Sequence, residues 1–318
     1  MTAPNCSVHS AAMEISVATL LMLEFGLGLL GNTVALWTFF FRLKVWKPYA
    51  VYLFNLVIAD LLLTLCLPFQ IAFYLRHKTW SLGRGSCQAL LFLLSLSRGV
   101  GVAFLTAVAL DRYFRVVHPR LKVNVLSPRW ARAVSVCVWL LMMAVTHQSL
   151  FGSEASGNST ECRSSQPGED FSWGAIWQEV LFFLQFSLPF GLILFCNVGL
   201  IRTLQNRIRD PEKQPKLRRA KALVTLVVVL FALCFLPSCL ARILTDAFRR
   251  SGSCRMLWVV EHTSDVASSL SYLNSVLNPL VYCFSNPTFH YSYRKALNTL
   301  RGRRGAEPQG CELRDSYT

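Results

Sequence analysis

Arg98 is the residue whose type and position most clearly predict chemistry. It lies in the apolar stretch LLFLLSLSRGVGVAFLTAVALDRYF, residues 90–114, and it precedes Arg112 by 14 residues. That separation corresponds to about 21 Å along an α-helix. A guanidinium group binds a carboxylate through two parallel hydrogen bonds, which are stronger where water is excluded. The sequence therefore predicts that Arg98 binds a carboxylate.

The carboxylate that Arg98 binds can belong either to the chain or to a ligand. An arginine deep in an apolar layer costs at least about 2.5 kcal/mol and needs a partner there. The chain places few acidic residues in its apolar stretches, and Glu24 and Asp265 are the candidate internal partners. Because so few acidic residues lie in the apolar stretches, the sequence favours a carboxylate that belongs to a ligand.

The remaining residue patterns do not indicate catalysis. The sequence contains no nucleophile–base pattern typical of an enzyme and no spacing typical of metal ligands. We therefore expect a protein that is not an enzyme and that needs no metal and no cofactor.

Seven apolar runs are long enough to hold these residues inside a membrane. The chain has 318 residues, of which 53% are hydrophobic and 15% are charged. About 20 apolar residues in a helix span the ~30 Å core of a bilayer. The runs are 15–41, 49–74, 87–117, 131–150, 173–201, 221–244 and 263–284. The predicted fold class is an all-α membrane protein, a bundle of seven transmembrane helices.

Charge and glycosylation motifs predict the orientation of the bundle. Most of the 32 lysines and arginines follow run one, separate runs three and four, separate runs five and six, or lie in the tail. Positive segments favour the cytoplasm, so the N-terminus is predicted to be extracellular and the C-terminus cytoplasmic. The two N-x-S/T motifs, at Asn5 and Asn158, then fall outside, where glycosylation occurs. The same distribution accounts for the net charge of +15 without nucleic-acid binding.

Four cysteines lie in the predicted outer segments or at their rim. They are Cys6, Cys87, Cys162 and Cys254. Four cysteines allow three pairings, which these positions alone leave open.

Short motifs follow the runs in order along the chain. Each motif alone is weak, but their order covers almost the whole sequence. Together they resemble the class A, or rhodopsin-like, G-protein-coupled receptors. The motifs are GN with Asn32, NLVIAD with Asp60, Cys87, DRY at 111–113, Trp139, Pro189, FALCFLP at 231–237 and NPLVY at 278–282.

Two longer segments narrow the resemblance to one branch of that class. DRYFRVVHP and YLNSVLNPLVYCFSNPTF are similar to the branch that holds the hydroxycarboxylic-acid and oxoeicosanoid receptors. The resemblance implies an extracellular N-terminus at 1–14, a receptor domain at 15–284, and an amphipathic juxtamembrane segment with a cytoplasmic tail at 285–318. It also implies the disulfide Cys87–Cys162, and Cys6 and Cys254 then remain to form a second pair.

The same resemblance assigns a ligand site. Arg98 matches the arginine that holds the ligand carboxylate in this branch, Tyr272 a tyrosine that contacts it, and Ser164 a loop serine that closes over it. Arg242 is expected to steer anions at the mouth of the site. Alternatives stay open, since Tyr272 can make an interhelical hydrogen bond, the loop alignment at Ser164 is loose, and Arg242 can mark the end of a span.

The resemblance also implies a switch between the spans. Arg112 is expected to pair with Asp111 at rest and to face a G protein when span six moves. Asp60 is expected to face Asn274 and Ser275, at a place where Gly101 makes sodium binding doubtful. The predicted switch residues are Asp60, Asp111, Arg112, Tyr113, Phe235, Pro237, Asn278, Pro279 and Tyr282.

These expectations lead to three functional hypotheses. The first is a plasma-membrane receptor for a hydroxy fatty acid that couples to an inhibitory-type (Gi/o) G protein and binds arrestin. The second is the same receptor scaffold tuned to small hydroxy or keto carboxylates such as lactate and pyruvate. The third is a carboxylate transporter or channel, against which the lack of an internal repeat argues.

Overall fold

Eight α-helices account for nearly all of the chain that the structure describes. The computed structural model describes residues 10–121, 127–147, 162, 183–206, 214–248 and 254–300. The helices are α1 Ala11–Phe41, α2 Pro48–Leu75, α3 Arg84–Val117, α4 Pro128–Thr146, α5 Leu188–Asn206, α6 Gln214–Phe248, α7 Cys254–Ser285 and α8 Pro287–Leu300. A π-helical turn, Phe183–Ser187, leads directly into α5. No strand occurs within these described ranges, as the all-α prediction requires.

Prolines mark both the starts and the interiors of these helices. Pro48 and Pro128 stand in the first turns of α2 and α4, where the missing N–H has no intrahelical partner to lose. Pro68, Pro237 and Pro279 lie inside α2, α6 and α7. Such interior prolines are tolerated where neighbouring helices satisfy the freed carbonyl groups.

Six of the described helices are long and apolar enough to cross a membrane. They are α1, α2, α3 and α4, the segment Gln185–Thr203 that contains most of α5, and the segment Ala220–Ala241 within α6. The seventh predicted run lies in α7, which has 32 residues but carries a more polar sequence. Six of the seven predicted spans are therefore confirmed by length and composition.

The disulfide Cys87–Cys162 joins the start of α3 to residue 162, as predicted. We call the end of the bundle that holds it the disulfide end, and the opposite end, which holds Arg112, the Arg112 end. Asn5, Asn158, Cys6 and Ser164 lie outside the described residues, so the second disulfide and the glycosylation sites stay predictions. Arg242 lies in α6, and the structure does not describe its side chain.

Two clusters of buried apolar side chains form the core. The larger one fills the middle of the bundle and the Arg112 end, and Phe39, Phe104, Phe231 and Tyr282 are among its fully buried members. The smaller one lies toward the disulfide end and is built from α1, α2, α3 and α7. Its buried members are Val17, Ala18, Leu21, Leu63, Cys66, Leu67, Tyr74, Leu90, Leu94 and Tyr272.

Helix α8 packs against α1 at the Arg112 end. The ring of Phe289 lies 4.8 Å from that of Phe39, centroid to centroid. The Tyr293 hydroxyl donates a 2.8 Å hydrogen bond to the carbonyl of Gly31. Burial raises the pKa of Tyr293, so this phenol keeps its proton at ordinary pH.

Charged residues join α1, α2 and α7 at the disulfide end. Just after α2, His77 lies 2.7 Å from the carboxylate of Glu14, and Lys78 lies 2.7 Å from that of Asp265. His77 and Lys78 have φ angles of 52° and 58°, the left-handed region that side chains other than glycine seldom adopt. Two consecutive left-handed residues let the turn contact two helices, and we call Glu14, His77, Lys78 and Asp265 the ionic tether.

Candidate functional site

Arg98 lies on α3 with its guanidinium directed at α7. The centre of the guanidinium lies 5.2 Å from the centroid of the Tyr272 ring, within the range of a cation–π interaction. The Nε of Arg98 is buried and has no hydrogen-bond partner in the described part of the protein. The structure thus brings Arg98 and Tyr272 together, as the ligand-site prediction requires.

The two carboxylates considered as internal partners of Arg98 do not pair with it. Asp265 accepts hydrogen bonds from Lys78 at 2.7 Å and from the Tyr74 hydroxyl at 3.0 Å. Both carboxyl oxygens of Glu24 are buried without a partner among the described residues. Within the ranges that the structure describes, Arg98 therefore forms no ion pair.

Glu24 nevertheless belongs to the same region of the bundle. A side chain at Gly28 of α1 would meet Val276 of α7, and one at Gly31 would meet Pro279. Extending this pairing of the two helices by one turn brings Glu24 level with Tyr272. Glu24 is also within electrostatic range of Tyr272 and of Cys234 on α6, so its carboxyl faces the interior.

Gly99 allows α4 and the π-helical turn to approach α3 beside Arg98. A Cβ atom at this position would lie 3.2 Å from the Met142 sulfur and 3.3 Å from the Gln185 side-chain nitrogen. That nitrogen is buried without a partner in the described ranges, and so is the hydroxyl of Ser97. Sequence reasoning missed Gln185, since nothing in the sequence shows that the turn before α5 reaches α3.

An apolar surface borders the Arg98 region on the side of the disulfide end. Leu94, one turn from Arg98 on the same helix, is buried in the smaller core cluster together with Tyr272. Phe25, Ile71 and Phe73 pack against this cluster. A polar anchor next to an extended apolar surface is typical of sites for amphipathic small molecules.

The carboxylate of Asp60 forms a second buried polar centre, nearer the Arg112 end. The Asn278 amide donates to its two oxygens at 3.0 and 2.9 Å, and the Tyr282 hydroxyl donates to one of them at 2.7 Å. The Ser275 side chain lies within hydrogen-bonding reach of the Asp60 carboxylate, as expected, and the expectation for Asn274 stays a prediction. Asn278 lies one turn further along α7 than Asn274 and supplies the amide that donates to Asp60.

The expected pair between Asp111 and Arg112 is wrong. Asp111 accepts hydrogen bonds at 3.0 and 2.9 Å from the Nε of Arg115, which lies one helical turn further. Residues four apart share a helix face, whereas adjacent residues point in different directions. Arg112 instead donates a 3.4 Å hydrogen bond to the Ser285 carbonyl, and its guanidinium lies 4.4 Å from the Tyr49 ring centroid.

Of the other predicted switch residues, Phe235 and Tyr113 lie in the larger core cluster. Phe235, one turn after Phe231 on α6, lies 4.6 Å from its ring, and both rings face Phe186 in the π-helical turn. Pro237 follows two residues later inside α6. Tyr113 is buried beside Phe195 of α5, at a ring distance of 5.4 Å.

A family comparison covers most of the chain. Residues 31–282 match the family described as 7 transmembrane receptor (rhodopsin family). The match includes Arg98, Asp60, Arg112 and Tyr272.

Three curated relatives are similar over nearly the whole length. The 12-(S)-hydroxy-5,8,10,14-eicosatetraenoic acid receptors of Homo sapiens and Mus musculus are 64% and 60% identical to this chain over 319 residues, covering 100% of each chain. Hydroxycarboxylic acid receptor 2 of Homo sapiens is 38% identical over 300 residues, 92% of this chain and 81% of that protein.

Proposed function

This chain belongs to the rhodopsin family of seven-transmembrane receptors, and we propose that it is a plasma-membrane receptor activated by a hydroxy fatty acid. The ligand proposed is 12-(S)-hydroxy-5,8,10,14-eicosatetraenoic acid, after the name of the two most similar relatives reported above. The receptor would signal through an inhibitory-type (Gi/o) G protein.

The observation that carries this proposal is the unmatched charge of Arg98. Its Nε is buried without a hydrogen-bond partner in the described ranges, and the carboxylates Glu24 and Asp265 do not pair with it. A partly buried guanidinium without an anion is costly, and a fatty-acid carboxylate would provide the anion. Tyr272 would lie beside the bound carboxylate.

The apolar surface next to Arg98 favours a long chain over a small acid. A fatty acid would bury its hydrocarbon against the smaller core cluster, at about 0.8 kcal/mol per CH₂ group. Lactate and pyruvate have almost no hydrocarbon to bury and would depend on the anchor alone. Membership of a receptor family removes the support for a transporter or channel.

The proposed orientation places the disulfide end outside the cell and the Arg112 end in the cytoplasm. Lysines and arginines concentrate in the segments assigned to the cytoplasm, as the positive-inside rule requires. Asp111, Arg112 and Tyr113 would then face the G protein, and arrestin would use the same surface. The positive charge of this surface suits acidic faces on a cytoplasmic partner.

The test compares carboxylate potency on the wild type and on Arg98→Ala in cells that express the full chain. Inhibition of cyclic AMP formation is measured for hydroxy fatty acids, their methyl esters, lactate and pyruvate. We expect at least a 100-fold loss of potency in Arg98→Ala, about 2.7 kcal/mol, because a charge-assisted pair in a dry site is lost. The methyl esters should be similarly weak on the wild type.

Arg76→Ala is the matched control for this test. Arg76 is an exposed arginine at the same end of the bundle, hydrogen-bonded to Ser81. Its removal should leave the potency unchanged, and all variants are compared at equal surface expression. Unchanged potency in Arg98→Ala would contradict the assignment of Arg98 to the ligand site. A preference for lactate over hydroxy fatty acids would contradict the fatty-acid ligand. A rise in cyclic AMP would contradict coupling to an inhibitory-type G protein.

A further inference from the structure

Glu24 is a buried acidic residue that has no hydrogen-bond partner in the described part of the chain. Its side chain is 1% exposed, and both carboxyl oxygens lack a hydrogen-bond partner among the described residues. Leaving a buried polar group unpaired costs about 1–3 kcal/mol, and more for a charged one. Such an unpaired group needs a physical explanation, and a role in binding a ligand is one such explanation.

The position of Glu24 connects it to the site around Arg98. The pairing of Gly28 with Val276 and of Gly31 with Pro279 puts Glu24 level with Tyr272 on the neighbouring helix. Arg98 approaches Tyr272 from α3, and Glu24 approaches it from α1. The site therefore has two polar groups of opposite chemical character near Tyr272, one from α3 and one from α1.

The two groups select different parts of a ligand. A guanidinium only donates hydrogen bonds and prefers an anion, which here is the ligand carboxylate. A carboxyl oxygen accepts a hydrogen bond from a hydroxyl group whether the acid is ionised or not. An acid without an oxygen at carbon 12 offers Glu24 no group with which to form a hydrogen bond.

We propose that Glu24 accepts a hydrogen bond from the hydroxyl group of the ligand and so distinguishes hydroxy fatty acids from fatty acids without that group. This inference rests on the proposed function, because it assumes that Arg98 holds the carboxylate of the same ligand. It also requires the ligand chain to fold back, since both polar groups flank one tyrosine while many carbons separate a carboxylate from a hydroxyl at carbon 12.

Gln185 is less suitably placed than Glu24 to bind the hydroxyl group of the ligand. Its unpaired nitrogen lies next to Gly99, on the face of α3 that contacts Met142 of α4. Arg98 instead points toward Tyr272 on α7. The amide and the anchor are thus directed to different sides of α3, whereas Glu24 shares the Tyr272 side.

The experiment measures the potencies of three acids on the full-length receptor, read by inhibition of cyclic AMP formation. The acids are the 12-hydroxy acid, the corresponding 12-oxo acid, and the acid of the same length without an oxygen at carbon 12. On the wild type we expect the hydroxy acid to be about tenfold more potent than the acid without an oxygen at carbon 12. A tenfold ratio corresponds to about 1.4 kcal/mol, the size of one hydrogen bond.

Two substitutions at Glu24 separate hydrogen bonding from packing. In Glu24→Met the hydroxy acid should lose about tenfold in potency, while the acid without the oxygen should change less than about twofold. In Glu24→Gln the amide oxygen can still accept from the hydroxyl group, so the potency ratio of the hydroxy acid to the acid without the oxygen should stay near the wild-type value. Glu24→Leu serves if Glu24→Met does not reach the cell surface.

Glu14→Gln is the matched control, and the outcomes separate this inference from the proposed function. Glu14 is a buried acid on the same helix that is paired with His77 in the ionic tether, so its change should leave the ratios between the three acids unaltered. An equal loss for all three acids in Glu24→Met, or no change in that variant, or a wild type that does not distinguish the hydroxy acid from the acid without the oxygen, would overturn the inference. Full potency of all three acids in Arg98→Ala would overturn the proposed function instead.

Discussion

Two buried carboxyl groups, Asp60 and Glu24, have the same exposure and opposite surroundings. Each is 1% exposed. Both oxygens of Asp60 accept hydrogen bonds, from Asn278 and Tyr282, whereas neither oxygen of Glu24 has a partner in the described ranges. A satisfied buried group stabilises the protein by itself, and an unsatisfied one suits a site that is completed from outside.

The comparison separates a structural centre from a binding centre. The Asp60 centre joins α2 to α7 through side chains of the protein alone. The centre around Arg98, Tyr272 and Glu24 joins α3, α7 and α1, but its charged groups remain unpaired with one another among described residues. Stability should therefore depend on the first centre and ligand recognition on the second.

The largest stability effect is expected from Asp60→Ala. It removes the acceptor for the Asn278 amide and the Tyr282 hydroxyl, and two orphaned donors cost about 2–6 kcal/mol. The free energy of unfolding should fall by this amount, which a thermal unfolding experiment on the purified receptor without ligand detects as a lower Tm. Asp60→Asn, which keeps one acceptor, should lose less, and a wild-type Tm in Asp60→Ala would refute the comparison.

A smaller stability effect is expected from Arg98→Met. The substitution removes a guanidinium whose Nε is already unpaired and replaces it with an apolar chain, at the cost of one cation–π contact with Tyr272. The ligand-free free energy of unfolding should stay within about 1 kcal/mol of the wild type, because an unsatisfied polar group is removed. The rise in Tm caused by the hydroxy fatty acid should disappear. A ligand-free Tm as low as that of Asp60→Ala would show that Arg98 is structural.

The smallest effect is expected from Gly101→Ser, which adds a hydroxyl group to α3. A Cβ atom there would meet only Leu56, at an ordinary distance of 3.8 Å. The Tm should therefore change little, with a helix-propensity gain of about 0.5 kcal/mol. Agonist potency should be equal in sodium and in a large organic cation, because the oxygens of Asp60 are already occupied. Sodium dependence in this variant would show that the Asp60 centre opens to an ion.

The sequence predicted the features that depend on one helix at a time. The apolar runs locate the helices, and the depth of Arg98 in its run follows from a rise of about 1.5 Å per residue. The pair Asp111–Arg115 was also accessible from the sequence, since it obeys the four-residue spacing on one helix. The predicted partner of Asp111 was wrong because the DRY motif indicates Arg112, the adjacent residue.

Features that depend on how helices meet were not accessible. The level of Glu24 relative to Tyr272 is set by contacts of Gly28 and Gly31 with α7, about 248 residues further along the chain. Nothing local in the sequence distinguishes Glu24, which lacks a partner among the described residues, from Asp60, which accepts from Asn278 and Tyr282. The unpaired nitrogen of Gln185 likewise depends on packing of the π-helical turn against α3.

The ionic tether has a mechanical consequence for the disulfide end. The turn at His77 and Lys78 contacts Glu14 on α1 and Asp265 on α7, so the ends of α1, α2 and α7 are linked through two adjacent residues. A displacement of one of these helix ends should therefore displace the other two. We expect the ends of the three helices to move together. Helix α6, which carries Pro237, has no part in the tether. The tether therefore restrains the ends of α1, α2 and α7 at the disulfide end, whereas α6 is joined to α7 through the Ser238 hydroxyl, which donates a 2.8 Å hydrogen bond to the Ala267 carbonyl.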